Sequence, residues 1–490
     1  MSNIYSYRMS NTDSDFFPES DSTSTGSGRD TFSDDDDDES CDTSVQSISL
    51  DDYAELTITA YEILDDYVCS NVRLMSSPHF YTNMIEHTTD LLYTDVHCSF
   101  SADPHRDEYD QNLRDELREF VEKTTEVWMD MSCIPRRSFV QRPDEIPDRT
   151  PTQIIIMIAR MLSLQSIPQP EQKTREWYEY RYNLMTASNL WKLFGSPAQL
   201  NSLIYEKCKP IDLDLQESRN ACTEGALHWG VKYEPVTVQV YEHMYNTKVG
   251  DFGCIPHPKY PFIGASPDGI NIEPSNKRYG RMLEIKNIVN REITGIPKEE
   301  YWIQTQIQME TCGLDECDFV ETRFKEYETE DAFYNDTNHE YRGVILQFIE
   351  RPPTVITEQT QLSNKPYYVY MPLTNALDRA SIQSWTDEQR AIMARDNKVL
   401  FSQKYWYLDE FSCVVIPRNG PWFMRVVPYI QYIWNIILKE RVTGYEHRAS
   451  KKRVPKERSM SIVSDDGDVV GPRTDAPVCL IRVDEDGNVC

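Results

Sequence analysis

No Cys-x-x-Cys pair occurs among the 12 cysteines, and no cysteine spacing suits a zinc site. The closest two, Cys312 and Cys317, lie around an expected helix end. A disulfide-stapled framework does not fit, so free thiols in a reducing, intracellular compartment are expected. Long apolar runs are missing as well. The most apolar stretch, "IIIMIARML" (154–162), is too short to span a bilayer and contains Arg160. The first residues are polar, so neither a signal peptide nor a membrane association is expected. Positive charge is also scarce. Lys and Arg number 50 against 80 Asp and Glu, a formal net charge of −30. That balance argues against non-specific coating of nucleic acid, while leaving room for a local basic groove. There are no internal repeats.

What is present divides along the chain, whose 490 residues are enough for two or three ordinary domains. Residues 1–50 are rich in Ser, Thr, Asp and Gly and include "SDDDDDES" (33–40). Such a segment buries too little apolar surface to offset its ordering entropy, and it reads as a disordered acidic tail. Residues 51–170 read as a helical N-terminal domain, from "YAELTITAYEILDDYV" (53–68) to "TPTQIIIMIARMLSL" (150–164). In the latter, Thr150 suits an N-cap and Pro151 the first turn. This domain carries no evident chemistry and is expected to pack or to contact a partner. From 171 to 443 helix, strand and turn signals mix, and 326–404 looks like an insertion. Residues 444–490 read as a flexible charged tail, in which "KKRVPKER" (451–458) is either a targeting patch, a DNA-tracking segment or simply solvated.

The chemistry concentrates in "FIGASPDGINIEPSNKRYGRMLEIKNI" (262–288). "PFIGAS" (261–266) and "MLEIKNI" (282–288) are strand candidates. On a strand, residues two apart share a face, so Leu283 and Ile285 turn to the core while Glu284 and Lys286 share a site. An exposed Glu–Lys pair on a half-buried strand is the plainer alternative. Asp268, at a Pro-Asp-Gly corner, alters that balance. Antiparallel pairing of the two strands brings it beside Glu284. Two adjacent carboxylates repel unless a cation lies between them, and a hard Mg²⁺ or Mn²⁺ suits them. A lysine next to them can orient an attacking water. Together these parts suit metal-assisted phosphodiester hydrolysis.

Pro267-Asp268 followed by Glu284-Ile285-Lys286 resembles the PD-(D/E)xK nuclease signature. The surroundings narrow the likeness to the lambda-exonuclease / YqaJ-like viral recombinase family. "HWGVKYEPVTVQVYEHMYN" (228–246) is similar to its helix with a further acid, falling on Glu234. "YEYRYNLMTASNLWKLFG" (178–195) is similar to its Arg and Thr-Ala-Ser motif, falling on Arg181 and Ser188. "YWIQTQIQM" (301–309) resembles its Tyr-x-x-Gln-x-Gln helix, placing the functional glutamine on Gln304. The likeness covers roughly 171–325 and 405–440, and the lead-in "PQPEQKTREWY" (168–178) looks most like versions from large DNA viruses of eukaryotes.

The resemblance implies an α/β, restriction-endonuclease-like core, a mixed central sheet flanked by helices. It implies Mg²⁺ (or Mn²⁺) held by Asp268, Glu284 and the Ile285 carbonyl, with Glu234 as a further ligand or an acid near the water. It implies Gln304 as a brace, and Arg181 with Ser188 as a pocket for a terminal 5′-phosphate. A planar guanidinium suits phosphate, and Ser188 also suits the cap of the helix after it. The expected activity is exonucleolytic removal of nucleotides from duplex DNA ends in viral recombination, repair or replication. A single-strand annealing protein as partner and a homo-oligomer go with it, in host cytoplasm, viral factory or nucleus. Gln308, one turn from Gln304, reads as solvated. His228 and His257 read as structural, Trp302 and Tyr301 as core or base-stacking, and Glu224 as a decoy for Glu234. A structure-specific endonuclease and a catalytically silent DNA-binding scaffold are the two rival readings.

Overall fold

In the computed structural model the described residues are 50–99, 106–132, 134–170, 172, 174–213, 226–351 and 366–449. The acidic tail, the basic run 451–458, Glu224 and part of the insertion lie outside them. Nearly all of the described residues belong to the compact unit Ala54–Cys490; of Met1–Tyr53 only the start of the first helix is described.

Four helices come first: α1 (Leu50–Asn71), α2 (Phe80–Ser99), α3 (Arg106–Ser132) and α4 (Pro151–Ser166). Thr150 caps α4, its hydroxyl accepting from the Gln153 N–H, and Gln153 returns to the Thr150 N–H. The short α5 (Arg175–Tyr182), β1 (Met185–Thr186), α6 (Ala187–Leu190) and α7 (Pro197–Cys208) lead into the long α8 (Ala226–Tyr245). Strands β2 (Val249–Gly250), β3 (Ile255–Pro256), β4 (Ile263–Ala265), β5 (Gly269–Asn271) and β6 (Met282–Asn287) follow. The rest are α9 (Glu299–Cys312), β7 (Glu316–Glu326), α10 (Glu330–Asn335), β8 (Arg342–Glu350), β9 (Tyr367–Tyr370), α11 (Arg379–Arg395), β10 (Lys398–Pro417) and α12 (Gly420–Thr443).

The architecture is mixed α/β. A seven-stranded sheet runs β2-β5-β6-β7-β10-β8-β9, and a three-stranded sheet runs β1-β4-β3. In the large sheet β6 and β7 are parallel and the other pairs antiparallel. A parallel pair needs a crossover, and α9 supplies it. It starts with Glu299 and Glu300 in its first turn, where the helix dipole favours acids, and stops at Gly313, whose φ of 64° is the left-handed cap.

Asp268 does not sit at a hairpin between two strands of one sheet. The run before it, β4, belongs to the small sheet, and the strand that pairs with β6 is the segment after it, β5. Asp268 therefore occupies the joint between the sheets. The insertion is also more regular than its sequence suggests. The 20-residue β10 pairs with β7 along one half and β8 along the other, so β8 and β9 lengthen the same sheet. Phe333, Val344, Leu346, Phe348, Ile382 and Trp385 form its own apolar cluster.

The N-terminal helices share the main core. Leu64, Met75, Phe80, Trp128 and Met161 cluster with Trp302 and Ile307 of α9 and with Trp422 and Ile430 of α12. Trp302 is core, 1% exposed, its indole N–H donating to the Arg137 carbonyl at 3.0 Å. The Ser76 hydroxyl donates to Glu299 at 2.7 Å. The helical region thus supports α9 from behind. The β5–β6 connection closes at Gly280, with φ 77° and N–H donating to the Asn271 carbonyl at 2.8 Å. A β-carbon there would meet the Met157 side chain of α4. Gly280→Ala is expected to cost about 1–2 kcal/mol for the left-handed backbone alone. It should read out as a lower urea midpoint at unchanged slope.

Candidate active site

β6 is flanked by cover of two kinds. Leu283 and Ile285 pack with Tyr241 of α8 and Val320 of β7. The opposite face carries Met282, in the main core, then Glu284 and Lys286. Register fixes the neighbour. Gly269 pairs with Leu283 across β5–β6, so Asp268 falls beside Glu284 and accepts the Ile285 N–H on Oδ2 at 2.7 Å.

Glu284 is 0% exposed, and both its oxygens are held. Oε1 accepts from the Lys286 ammonium and from Gln304 Nε2 at 2.7 Å. Oε2 accepts from Gln308 Nε2 at 2.8 Å. Gln308 also donates to the Ser266 carbonyl at 3.2 Å, just before the Pro-Asp-Gly joint. The expectation that Gln308 is solvated is therefore corrected: it is 1% exposed. Helix α9 is buried on nearly every side, between sheet and N-terminal helices, so it has no solvated face at this turn. Lys286 lies 5.0 Å from the centre of the Tyr301 ring.

Electrostatics follow from this crowding. Burial, then Glu284, then Glu234 push the Asp268 carboxyl well above the usual carboxylate range, against the pull of Lys286 and the Ile285 N–H. Burial disfavours the Lys286 ammonium, but Glu284 and Asp268 outweigh it and hold the lysine charged. Glu234 faces the same cleft from α8, one residue before Pro235, a proline inside the helix. A proline cannot donate to the carbonyl four residues earlier, that of Val231, which also lines the cleft. Asn287 ties this part of α8 to β6: its Nδ2 donates to the Gly230 carbonyl at 3.0 Å, and its Oδ1 accepts from Thr237 and Thr322.

At the other end of the cleft, Arg181 donates to the Ser266 hydroxyl at 3.0 Å and to the Ser188 hydroxyl at 3.4 Å. Its guanidinium lies 4.4 Å from the Trp177 ring centre. Parallel pairing of β1 with β4 brings the two serines to one side. Ser188 is not a helix cap. The N-cap of α6 is Thr186, and Ser188 stands inside the first turn, exposed. Ser266 goes unnoticed in the sequence, although it adjoins Pro267-Asp268. Arg181, Ser188, Glu234, Asp268, Glu284, Ile285, Lys286 and Gln304 all line one cleft of about 590 Å³, with Ser266 and Gln308. His257 is structural, its ring stacked on Phe423 at 5.4 Å.

Among the described residues, no group of three or more His, Cys, Asp and Glu side chains is arranged to hold a metal ion. The donors brought together are two carboxylates. They fit a hard divalent ion on two grounds: Lys286 and the Ile285 N–H offset the Asp268–Glu284 repulsion only in part, and Mg²⁺ is usually held by one or two carboxylates with water and phosphate completing its shell. No described helix is long and apolar enough to cross a membrane.

Residues 176–315 match the family model of the YqaJ-like viral recombinase domain. An uncharacterized protein of Acanthamoeba polyphaga mimivirus is 27% identical over 309 residues, 57% of this chain and 54% of the relative. The chain thus spans about half the length of that curated relative. Two solved structures of LHK-Exo are similar at 18% identity, each over 56% of this chain and 95% of theirs. One is a complex with dAMP, at a TM-score of 0.30. The other, an alkaline exonuclease from Laribacter hongkongensis, scores 0.29. At those scores neither adds to the topology described above.

Proposed function

We propose that this chain, which carries a YqaJ-like viral recombinase domain, is a divalent-metal-dependent deoxyribonuclease. It removes nucleotides from 5′-phosphorylated duplex ends during viral recombination, repair or replication. The observation that carries this reading is the shared cleft, with an acid pair and its lysine at one end and a guanidinium between two serines at the other. Mg²⁺ or Mn²⁺, held by Asp268, Glu284 and the Ile285 carbonyl with Glu234 nearby, would polarise the scissile phosphate and neutralise the leaving oxygen.

The protein's own groups do the rest. Lys286 stays an ammonium, so it orients the attacking water by donating to it and offsets negative charge as the phosphate is attacked. Gln304 fixes Glu284 against rotation. Glu234 approaches the acids from α8, where it supports the metal or the water. Arg181 offers a donor fork to a terminal phosphate, with Ser188 and Ser266 as further partners. On a chain of net charge −30, Arg181 and Lys286 supply the local positive charge that a phosphodiester backbone needs. A single-strand annealing partner and a homo-oligomer belong with this reading. A reducing, intracellular setting agrees with the free thiols of Cys69, Cys208, Cys254, Cys312, Cys317 and Cys413.

Digestion of one linear duplex, with 5′-phosphate or 5′-hydroxyl ends, tests it. Cleavage is expected only with Mg²⁺ or Mn²⁺, roughly 10–100-fold faster on the phosphorylated end if the net loss without it is about one charge-assisted hydrogen bond. Efficient nicking of a closed circular duplex would make it an endonuclease instead. A protein inert on every end structure would favour the scaffold reading.

A further inference from the structure

The phosphate-binding end of the cleft has a charged layer beneath it. Lys207, on α7, is only 7% exposed, and its ammonium donates to the main-chain carbonyl of Arg181 at 2.8 Å. Arg441, on α12, donates to the carbonyls of Lys207 and Tyr182, each at 2.8 Å, and to Asn183 Oδ1 at 3.2 Å. Three basic side chains from three helices thus meet at the C-terminal end of α5. Among the described residues none of the three is ion-paired with a carboxylate. Glu206, beside Lys207 in sequence, is engaged by Lys192 at 2.8 Å. The remaining group facing Lys207 is the buried thiol of Cys254, which burial keeps protonated.

Cations at the end of a helix are in part balanced by its last carbonyls. Each of the three lies in the last turn of its own helix, α5, α7 or α12, and a helix terminus carries only about half a negative charge, so the group as a whole stays positive. Arg181 is the only one of the three that opens into the cleft. The missing negative charge is therefore expected to arrive there, as the phosphate already assigned to Arg181.

We propose that Lys207 is a positioning residue for end selection: its buried ammonium fixes the Arg181 backbone and adds charge beneath the terminal-phosphate pocket, so that preference for a 5′-phosphate over a 5′-hydroxyl falls as pH rises. The inference rests on the functional reading above and names how that pocket is regulated. Burial first, then Arg181 and Arg441, lower the Lys207 ammonium to about 7, against smaller opposing pulls from Cys254 and Glu206. A phosphate dianion close to Arg181 favours the protonated form. By reciprocity, the protonated form favours the phosphate. The 5′-phosphate itself completes its ionisation near pH 6, so a change between pH 7 and 9 belongs to the protein.

The test is binding of the same short duplex with a 5′-phosphate or a 5′-hydroxyl, in EDTA, by fluorescence anisotropy at pH 7 and pH 9. For the full-length protein the ratio of the two affinities is expected to drop about fivefold over that range: one pKa unit of coupling is worth about tenfold in full, and about half of Lys207 is already neutral at pH 7. In Lys207→Met the ratio is expected to be low and flat. In Lys207→Arg, which keeps its charge, it is expected to stay high through pH 9. A ratio that is flat in the unmodified protein, or a slope that survives in Lys207→Met, overturns the proposal. Should Lys207→Met not fold, the unmodified protein and Lys207→Arg still decide it. A protein that prefers phosphorylated ends equally at both pH values sinks only the role of Lys207; one with no preference at any pH sinks the end-recognition reading as well.

Discussion

Replacing Asp268 by asparagine is expected to lower cleavage by roughly 10²–10³-fold or more, the loss typical of removing a group aimed at developing charge, while raising the melting temperature of the metal-free protein. The two effects have one cause. Asparagine keeps an oxygen to accept the Ile285 N–H, so that contact survives. It removes the charge that burial, Glu284 and Glu234 disfavour. Each kcal/mol relieved corresponds to about 2–4 °C in a domain of a few hundred residues. The pH dependence follows in sign. The folded-state carboxyl holds its proton above the unfolded value, so the native state binds more protons in that window and loses stability as pH rises through it. The gap between variant and parent should therefore widen from about pH 4 towards neutrality and close in stronger acid. Mg²⁺ should narrow it again by stabilising only the parent. Melting in EDTA and in Mg²⁺, at several pH values, checks all three points. A variant less stable than its parent in EDTA would make Asp268 a structural group.

Why this site is partly legible in the sequence, and partly not, comes down to what each local pattern encodes. Glu284 and Lys286 alternate with Leu283 and Ile285, and period two puts both on one face without knowledge of the rest of the fold. Asp268 is readable as a presented acid from its Pro-Asp-Gly setting, but not its place between two sheets, because β4 and β5 are only three residues each. Gln308 is misread for the opposite reason. Residues 302, 303, 305–309, 311 and 312 of α9 are all buried, so there is no apolar stripe for a polar residue to stand outside. Arg181 and Ser188 have no local signal at all beyond the family likeness; β1 and β4 pair across 78 positions of chain to bring Ser188 near Ser266. The insertion hides its strands because β10 is half-buried along most of its length, which blurs the alternation that marks a one-sided strand. Lys207 carries no signal in the sequence, since nothing in "YEKCK" (205–209) says that it will be buried.

Asp318 carries the second large effect, on stability. It is 0% exposed on β7, next to Leu283 of β6, and accepts from both arginines of the β5–β6 connection: Arg278 on Oδ2 and Arg281 on Oδ1. The Tyr241 hydroxyl also donates to Oδ2. Both arginines are buried, each 2% exposed. Arg281 has a second acid in Glu316, at 2.6 Å, whereas Arg278 has Asp318 as its only ion-pair partner among the described residues. Asp318→Ala would leave Arg278 charged, buried and unmatched. Breaking a buried pair from one side typically costs about 3–5 kcal/mol, far more than the pair contributes against an apolar replacement. A loss of that size is expected in the urea midpoint. Asp318→Asn should fall between, since it can still accept from one arginine but offers no charge. The consequence reaches the site through geometry. Arg278, Gly280 and Arg281 close the connection that sets β5 against β6, and that register is what holds Asp268 opposite Glu284. Conditions in which Asp318→Asn is still folded should therefore show weakened Mg²⁺-dependent stabilisation, although Asp318 points away from the cleft. A loss under about 1 kcal/mol in Asp318→Ala would mean that Arg278 finds water or another acid, and that the β5–β6 register is held by main-chain pairing alone.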